Sequence, residues 1–81
     1  MVIRVKLFAA MREFTGSDSL DIALPPGATV AQLRRQLATQ WPQTQALLMR
    51  SAIAVNHDFA NNDQVLQATD EVAVIPPVSG G

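Results

Sequence analysis

A chain of 81 residues with a formal charge of −1 and 48% apolar residues has the make-up of one globular domain rather than of a disordered segment. At this length roughly 60–65% of the unfolded surface is buried, which allows a modest core but no deep active-site cavity. Six basic residues scattered among seven acidic ones form no stripe for nucleic acid or an anionic membrane surface, and the absence of cysteine removes disulfides, thiolate chemistry and cysteine metal ligands.

Val2 to Phe8 alternates, with Ile3, Val5 and Leu7 on one side and Arg4, Lys6 and Phe8 on the other, so a strand with one buried face is expected. Phe8 falls on the polar side and is a candidate exposed aromatic. Ala9 to Thr15 reads as a short helix that Gly16 ends. Met11 and Phe14 lie three apart and are expected to pack down, with Arg12 and Glu13 outward. Ser19 to Leu24 alternates again, with Leu20, Ile22 and Leu24 on one face, and Pro25-Pro26-Gly27 breaks the pattern. The first two strands are expected to pair antiparallel.

Thr29 opens the main helix, with Gln32 three residues on as its capping-box partner. Val30, Leu33 and Leu37 recur at helical spacing, and Arg34-Arg35 is expected on a solvated face. Pro42 ends this helix and starts a shorter turn through Leu47-Leu48-Met49. Trp41, Leu47 and Leu48 are expected at the core or its rim. Ala52 to Val55 is a short strand, and Asn56-His57-Asp58 turns into Phe59. The single His57 cannot build a metal site and is expected to serve that turn. Gln64 to Leu66 is a weak strand or bend. Thr69-Asp70-Glu71 leads into the last strand, where Val72 and Val74 share one face and Ala73 and Ile75 the other. The order requires a small mixed sheet covered on one face by one main helix. The first and last strands are the most regular and are expected inside the sheet; if they are adjacent and parallel, the intervening chain makes the crossover they need. This is an α+β, β-grasp arrangement. No apolar run approaches the ~18 residues that span a bilayer, and no signal-peptide pattern opens the chain. A cytoplasmic protein is expected.

Residues 1–75 form the body, and residues 76–81 read as an extended, flexible tail. Pro76 and Pro77 cannot pair in a sheet and favour a stiff stalk. Val78 and Ser79 follow, then Gly80 and Gly81 without side chains. Extended, this tail projects the terminal carboxylate roughly 20 Å from the last strand. Only a chain end enters a narrow pocket in a partner, and glycine is thin enough to follow it. The prolines limit the entropy lost on ordering. Phe8, Phe59 and Ile75 are candidates for one exposed apolar face that a partner covers, and Arg12 for a residue that positions the tail or a partner carboxylate. No paired carboxylates, Ser-His pair or phosphate-cradling loop marks a stand-alone enzyme.

Phe8-Ala9-Ala10-Met11-Arg12-Glu13-Phe14-Thr15-Gly16, Ala54-Val55-Asn56, and the run from Asp70 to Pro76-Pro77-Val78-Ser79-Gly80-Gly81 carry a resemblance. A β-grasp pattern ending in Gly-Gly resembles ubiquitin-like proteins and their prokaryotic sulfur carriers. Within that set the chain most resembles the MoaD family, the small subunits of molybdopterin synthase, which are related to ThiS. The similarity spans essentially the whole chain and is most specific at its end. It implies a cycle in which an adenylyltransferase resembling ubiquitin-activating enzymes uses ATP to convert the Gly81 carboxylate to an acyl-adenylate. Sulfur then replaces AMP, and the Gly81 thiocarboxylate enters the large synthase subunit and gives its sulfur to a pterin precursor, building the dithiolene of molybdopterin. It implies no stably bound cofactor and no metal, and a subunit that is not catalytic alone. A carrier for thiamin thiazole shares the Gly-Gly end but tends to be shorter and lacks the Arg12-Glu13 excursion. A protein modifier joined to lysine through Gly81 uses the same activation chemistry. A β-grasp interaction module with an inert tail is the remaining alternative.

Overall fold

In the computed structural model, which describes residues 1–77, five strands form one mixed sheet in the order β2-β1-β5-β3-β4. The strands are β1 Val2–Leu7, β2 Ser19–Ala23, β3 Ala52–Val55, β4 Asp58–Ala60 and β5 Val72–Ile75. β1 pairs antiparallel with β2 and parallel with β5, so the last strand takes the middle of the sheet and the first lies beside it. β3 pairs antiparallel with β5 and with β4. The alternation in β1 is realised directly: Ile3, Val5 and Leu7 are buried while Val2, Arg4 and Lys6 are exposed. Leu7 ends the strand, and Phe8 keeps an extended backbone as the residue before α1, Ala9–Thr15. Gly16, at φ 73°, closes that helix by donating its backbone N–H to the Arg12 carbonyl.

The main helix, α2, runs Val30–Gln40 and lays Val30, Leu33 and Leu37 on the sheet. Its free N-terminal donors are all accounted for. The Thr29 hydroxyl accepts from the Gln32 N–H at 3.3 Å, and the Gln32 side chain accepts from the Thr29 N–H at 2.8 Å. The Val30 and Ala31 N–H groups donate to the Gln64 and Asn62 carbonyls. The segment read as a weak strand is thus a strap over the helix start, with Val65 bridging to Thr29. A turn at Pro42–Thr44 then leads into α3, Gln45–Arg50. Among the described residues no helix is long and apolar enough to cross a membrane.

Two expectations fail for physical reasons. Phe14 is 47% exposed while Met11 is 1% exposed. Positions three apart on a helix differ by about 60° in direction, and on the two turns of α1, which follows the end of β1, Met11 enters the core while Phe14 stays exposed. Arg34 does not share the solvated face of Arg35. Its guanidinium donates to the Leu48 and Ser51 carbonyls, the latter at 2.9 Å, and to Asn62 Oδ1 at 2.9 Å. Because α3 packs beside α2, Arg34 reaches the carbonyls at its C-terminal end, adding to the Ser51 N–H that the Leu48 carbonyl also accepts. Burial pushes the Arg34 guanidinium below its usual pKa, a desolvation cost that these three bonds offset.

β3 and β4 are joined by a two-residue turn with Asn56 at φ 52° and His57 at φ 72°. The Asn56 side chain accepts from the Glu71 N–H and donates to Asp70 Oδ1, both at 2.9 Å. One side chain therefore ties this turn to the start of β5. Asn56→Ala removes both bonds and the residue best suited to a left-handed backbone, at an expected cost of about 1–2 kcal/mol, or roughly 5–15 °C in melting temperature. A thermal melt within 2 °C of the parent would contradict this role.

Candidate functional site

On the sheet face away from α2, the register places Lys6, Ala73, Ala54 and Phe59 in one row across β1, β5, β3 and β4. The two middle residues are alanines, so the row is low at its centre and high at its ends. The result is an open hollow of about 270 Å³. Ala54 and Ala73 form its floor, and Phe8, Phe59 and Ile75 wall it. Ala54 is 7% exposed yet is not part of the main hydrophobic cluster. Lys6, His57 and Glu71 give a polar rim, with His57 Nε2 and Glu71 Oε2 3.1 Å apart.

Phe59 is 77% exposed, and Phe8 and Ile75 are also exposed. Three large apolar side chains held open around one hollow cannot be explained by the core, whose residues lie on the other face. Burying Phe59 alone against a partner removes enough apolar surface to contribute about 2 kcal/mol. The wall runs directly into the tail: Ile75 ends β5, and Pro76 and Pro77 follow, both half-buried. A protein seated on the hollow therefore sits at the root of the tail.

Phe8, Phe59 and Ile75 thus come together. Arg12 does not join them; it faces outward and pairs with Asp18 at 3.4 Å. Pro76 and Pro77 extend beyond the last strand. The other tail residues singled out from sequence, Val78, Ser79, Gly80 and Gly81, lie outside the described residues. Sequence reasoning missed the floor, Ala54 and Ala73, and the rim, Lys6, His57 and Glu71. The alternation in β1 and β5 already put Lys6 and Ala73 on the outer face. Only the strand register shows that they are neighbours.

Phe59→Asp is expected to leave the melting temperature within about 3 °C of the parent, since a mostly exposed side chain contributes little to folding. It is expected to weaken any partner that covers the hollow by about 30-fold or more, the size of a central interface residue. Titration calorimetry against that partner, beside a thermal melt, separates the two effects. A large loss of stability with unchanged affinity would make Phe59 a packing residue.

The model of the ThiS family matches residues 5–81. The molybdopterin synthase sulfur carrier subunit of Dictyostelium discoideum is 41% identical over 81 residues, spanning 96% of this chain and 94% of that protein. Among solved structures, SAMP1 of Haloferax volcanii, a small archaeal modifier protein, superposes with a TM-score of 0.87 at 27% identity over the whole of both chains. A complex of subunits 1 and 2 of the molybdopterin-converting factor from Helicobacter pylori contains a chain matching with a TM-score of 0.70 over the whole of both chains, at 23% identity, a likeness of fold. The β-grasp body, the hollow at the root of the tail and these full-length matches agree: the chain belongs to the ThiS family and, within it, is akin to the molybdopterin synthase sulfur carrier subunits.

Proposed function

We propose that this chain is the sulfur carrier of a molybdopterin synthase, with Gly81 as the reacting residue. The observation that carries the reading is the exposed hollow walled by Phe8, Phe59 and Ile75, placed where the tail leaves the body. The full-length likeness to molybdopterin synthase sulfur carrier subunits supports it.

A carboxylate is a poor electrophile at neutral pH. ATP makes the Gly81 carboxylate reactive: a carboxylate oxygen attacks the α-phosphorus, pyrophosphate leaves, and an acyl-adenylate forms. A sulfur nucleophile then attacks the carbonyl carbon, the bond to AMP breaks, and Gly81 is left as a thiocarboxylate. An adenylyltransferase supplies the ATP site. The charged tail next enters the large synthase subunit and gives its sulfur to a pterin precursor. The roles of this chain's own residues are simple. Phe8, Phe59 and Ile75 bind the body of each partner in turn. Pro76 and Pro77 aim the tail. Val78 and Ser79 extend it, and Gly80 and Gly81 pass through a channel that side chains would block. Arg12, away from the hollow, is a candidate for contact with the wider footprint of a partner.

The likeness to SAMP1 favours a second reading, in which the activated Gly81 carbonyl is transferred to a lysine of another protein. Both readings share the activation step and differ in the acceptor. Reconstitution separates them. The thiocarboxylated chain, mixed with a large synthase subunit and the pterin precursor, is expected to yield molybdopterin and return to the free carboxylate. Absence of product, together with lysine adducts in host extract, would favour the modifier.

A further inference from the structure

The opposite side of the molecule carries a second concavity that the carrier role leaves unused. A groove of about 440 Å³ runs between α2 and α3. Ala31, Ala38, Leu48 and Met49 give it an apolar lining, and Arg34 and Arg35 give it positive charge. Met49 is 77% exposed, on a short helix whose inward position is taken by Leu48. No Asp or Glu lines the groove. Among the described residues neither arginine is in an ion pair: the three pairs involve Arg4, Arg12 and His57. Arg34 is held by carbonyls and an amide, which leave its charge in place. On a chain of net charge −1 this is a local excess of positive charge beside a flexible thioether and small side chains. That combination fits the apolar stripe of an amphipathic helix flanked by carboxylates.

The position of the groove matters as much as its chemistry. Ile75, where the tail begins, pairs with Ala52, the residue after Ser51, and the Ser51 carbonyl is one of those that Arg34 holds. The residue from which the tail starts thus walls the hollow and, through Ala52 and Ser51, is linked to Arg34 of the groove. Resting on the carrier reading above, a chemical constraint follows. The acyl-adenylate hydrolyses if released, so sulfur must arrive while the activating enzyme still occupies the hollow. The sulfur source needs a different place to stand.

The geometry points to the α2–α3 groove as the docking site for an acidic amphipathic helix of the protein that delivers sulfur, bound at the same time as the activating enzyme. With a persulfide as the delivered form, its terminal sulfur attacks the Gly81 carbonyl and AMP leaves with the bonding pair. A second thiol then cleaves the S–S bond, giving the thiocarboxylate and a disulfide between that thiol and the donor.

The test compares two sulfur sources on the full chain, in the presence of ATP and the activating enzyme. One source is a cysteine desulfurase carrying its persulfide, with dithiothreitol as the thiol; the other is free sulfide, which needs no docking site. The double variant Arg35→Glu, Met49→Glu changes two exposed side chains, and its thermal melt checks the fold. Loading from the persulfide protein is expected to fall at least tenfold, while loading from sulfide and ATP–pyrophosphate exchange stay at the parent rate. Arg35→Lys is expected to load normally. Equal loading of the variant from both sources would overturn the proposal. So would a parallel loss from both, which would assign the groove to the activation step. If the parent chain itself cannot be loaded from sulfide, the carrier reading fails, a result distinct from either.

Discussion

One alanine added after Gly81 is expected to abolish sulfur loading while the body melts within about 2 °C of the parent. The added residue moves the reacting carboxylate by about 3.5 Å along the tail. Activation requires that carboxylate to sit in line with the α-phosphorus of ATP, and misplacement by about 1 Å already costs some 100-fold. Loss of at least that size is therefore expected in ATP–pyrophosphate exchange, and thiocarboxylate falls below detection by intact mass. The body is expected to be indifferent because, among the described residues, the core runs from Ile3 to Val74 and β5 ends at Ile75. An extended chain that loads at the parent rate would show that Gly81 is not the reacting residue.

Leu33→Ala acts at the other end of the structure. Leu33 is fully buried in the middle of α2, the main helix over the sheet. Truncation removes three carbons' worth of packing and leaves a cavity, for which about 2–5 kcal/mol is expected. A domain of this size has a total stability of only about 4–12 kcal/mol. The melting temperature is expected to fall by roughly 10–30 °C, and urea denaturation should show an earlier midpoint at an unchanged slope. Function suffers only through the folded fraction. At a temperature where the variant is folded, it should load sulfur at the parent rate. A shift below about 5 °C would mean that α2 is not the main cover of the core.

The parts that local physics decides were readable before the fold. The alternation in Val2 to Leu7, the capping box at Thr29 and Gln32, the glycine stop at Gly16 and the positive-φ turn at Asn56 all depend on neighbours within a few residues. The regularity of the first and last strands pointed to the inside of the sheet, but their parallel pairing is fixed only by the register. Phe14 and Arg34 were misread because their surroundings come from afar. Phe14 lies on the short helix that follows the end of β1, and Arg34 is claimed by carbonyls 14 and 17 residues away. The same reason hid the floor of the hollow. Alanine has no signature of its own, and Ala54 and Ala73 matter only because the register sets them side by side. Of the large side chains around them, Phe8 was legible because it falls on the polar side of β1, and Ile75 by its alternation with Val74.

The central claim is that Gly81 carries sulfur as a thiocarboxylate. Its most direct test is the intact mass of the chain after incubation with ATP, the host's adenylyltransferase and sulfide. A gain equal to one oxygen replaced by one sulfur, absent when Gly81 is deleted, is the predicted result. An unchanged mass, with the same enzyme active on an authentic carrier, would contradict it.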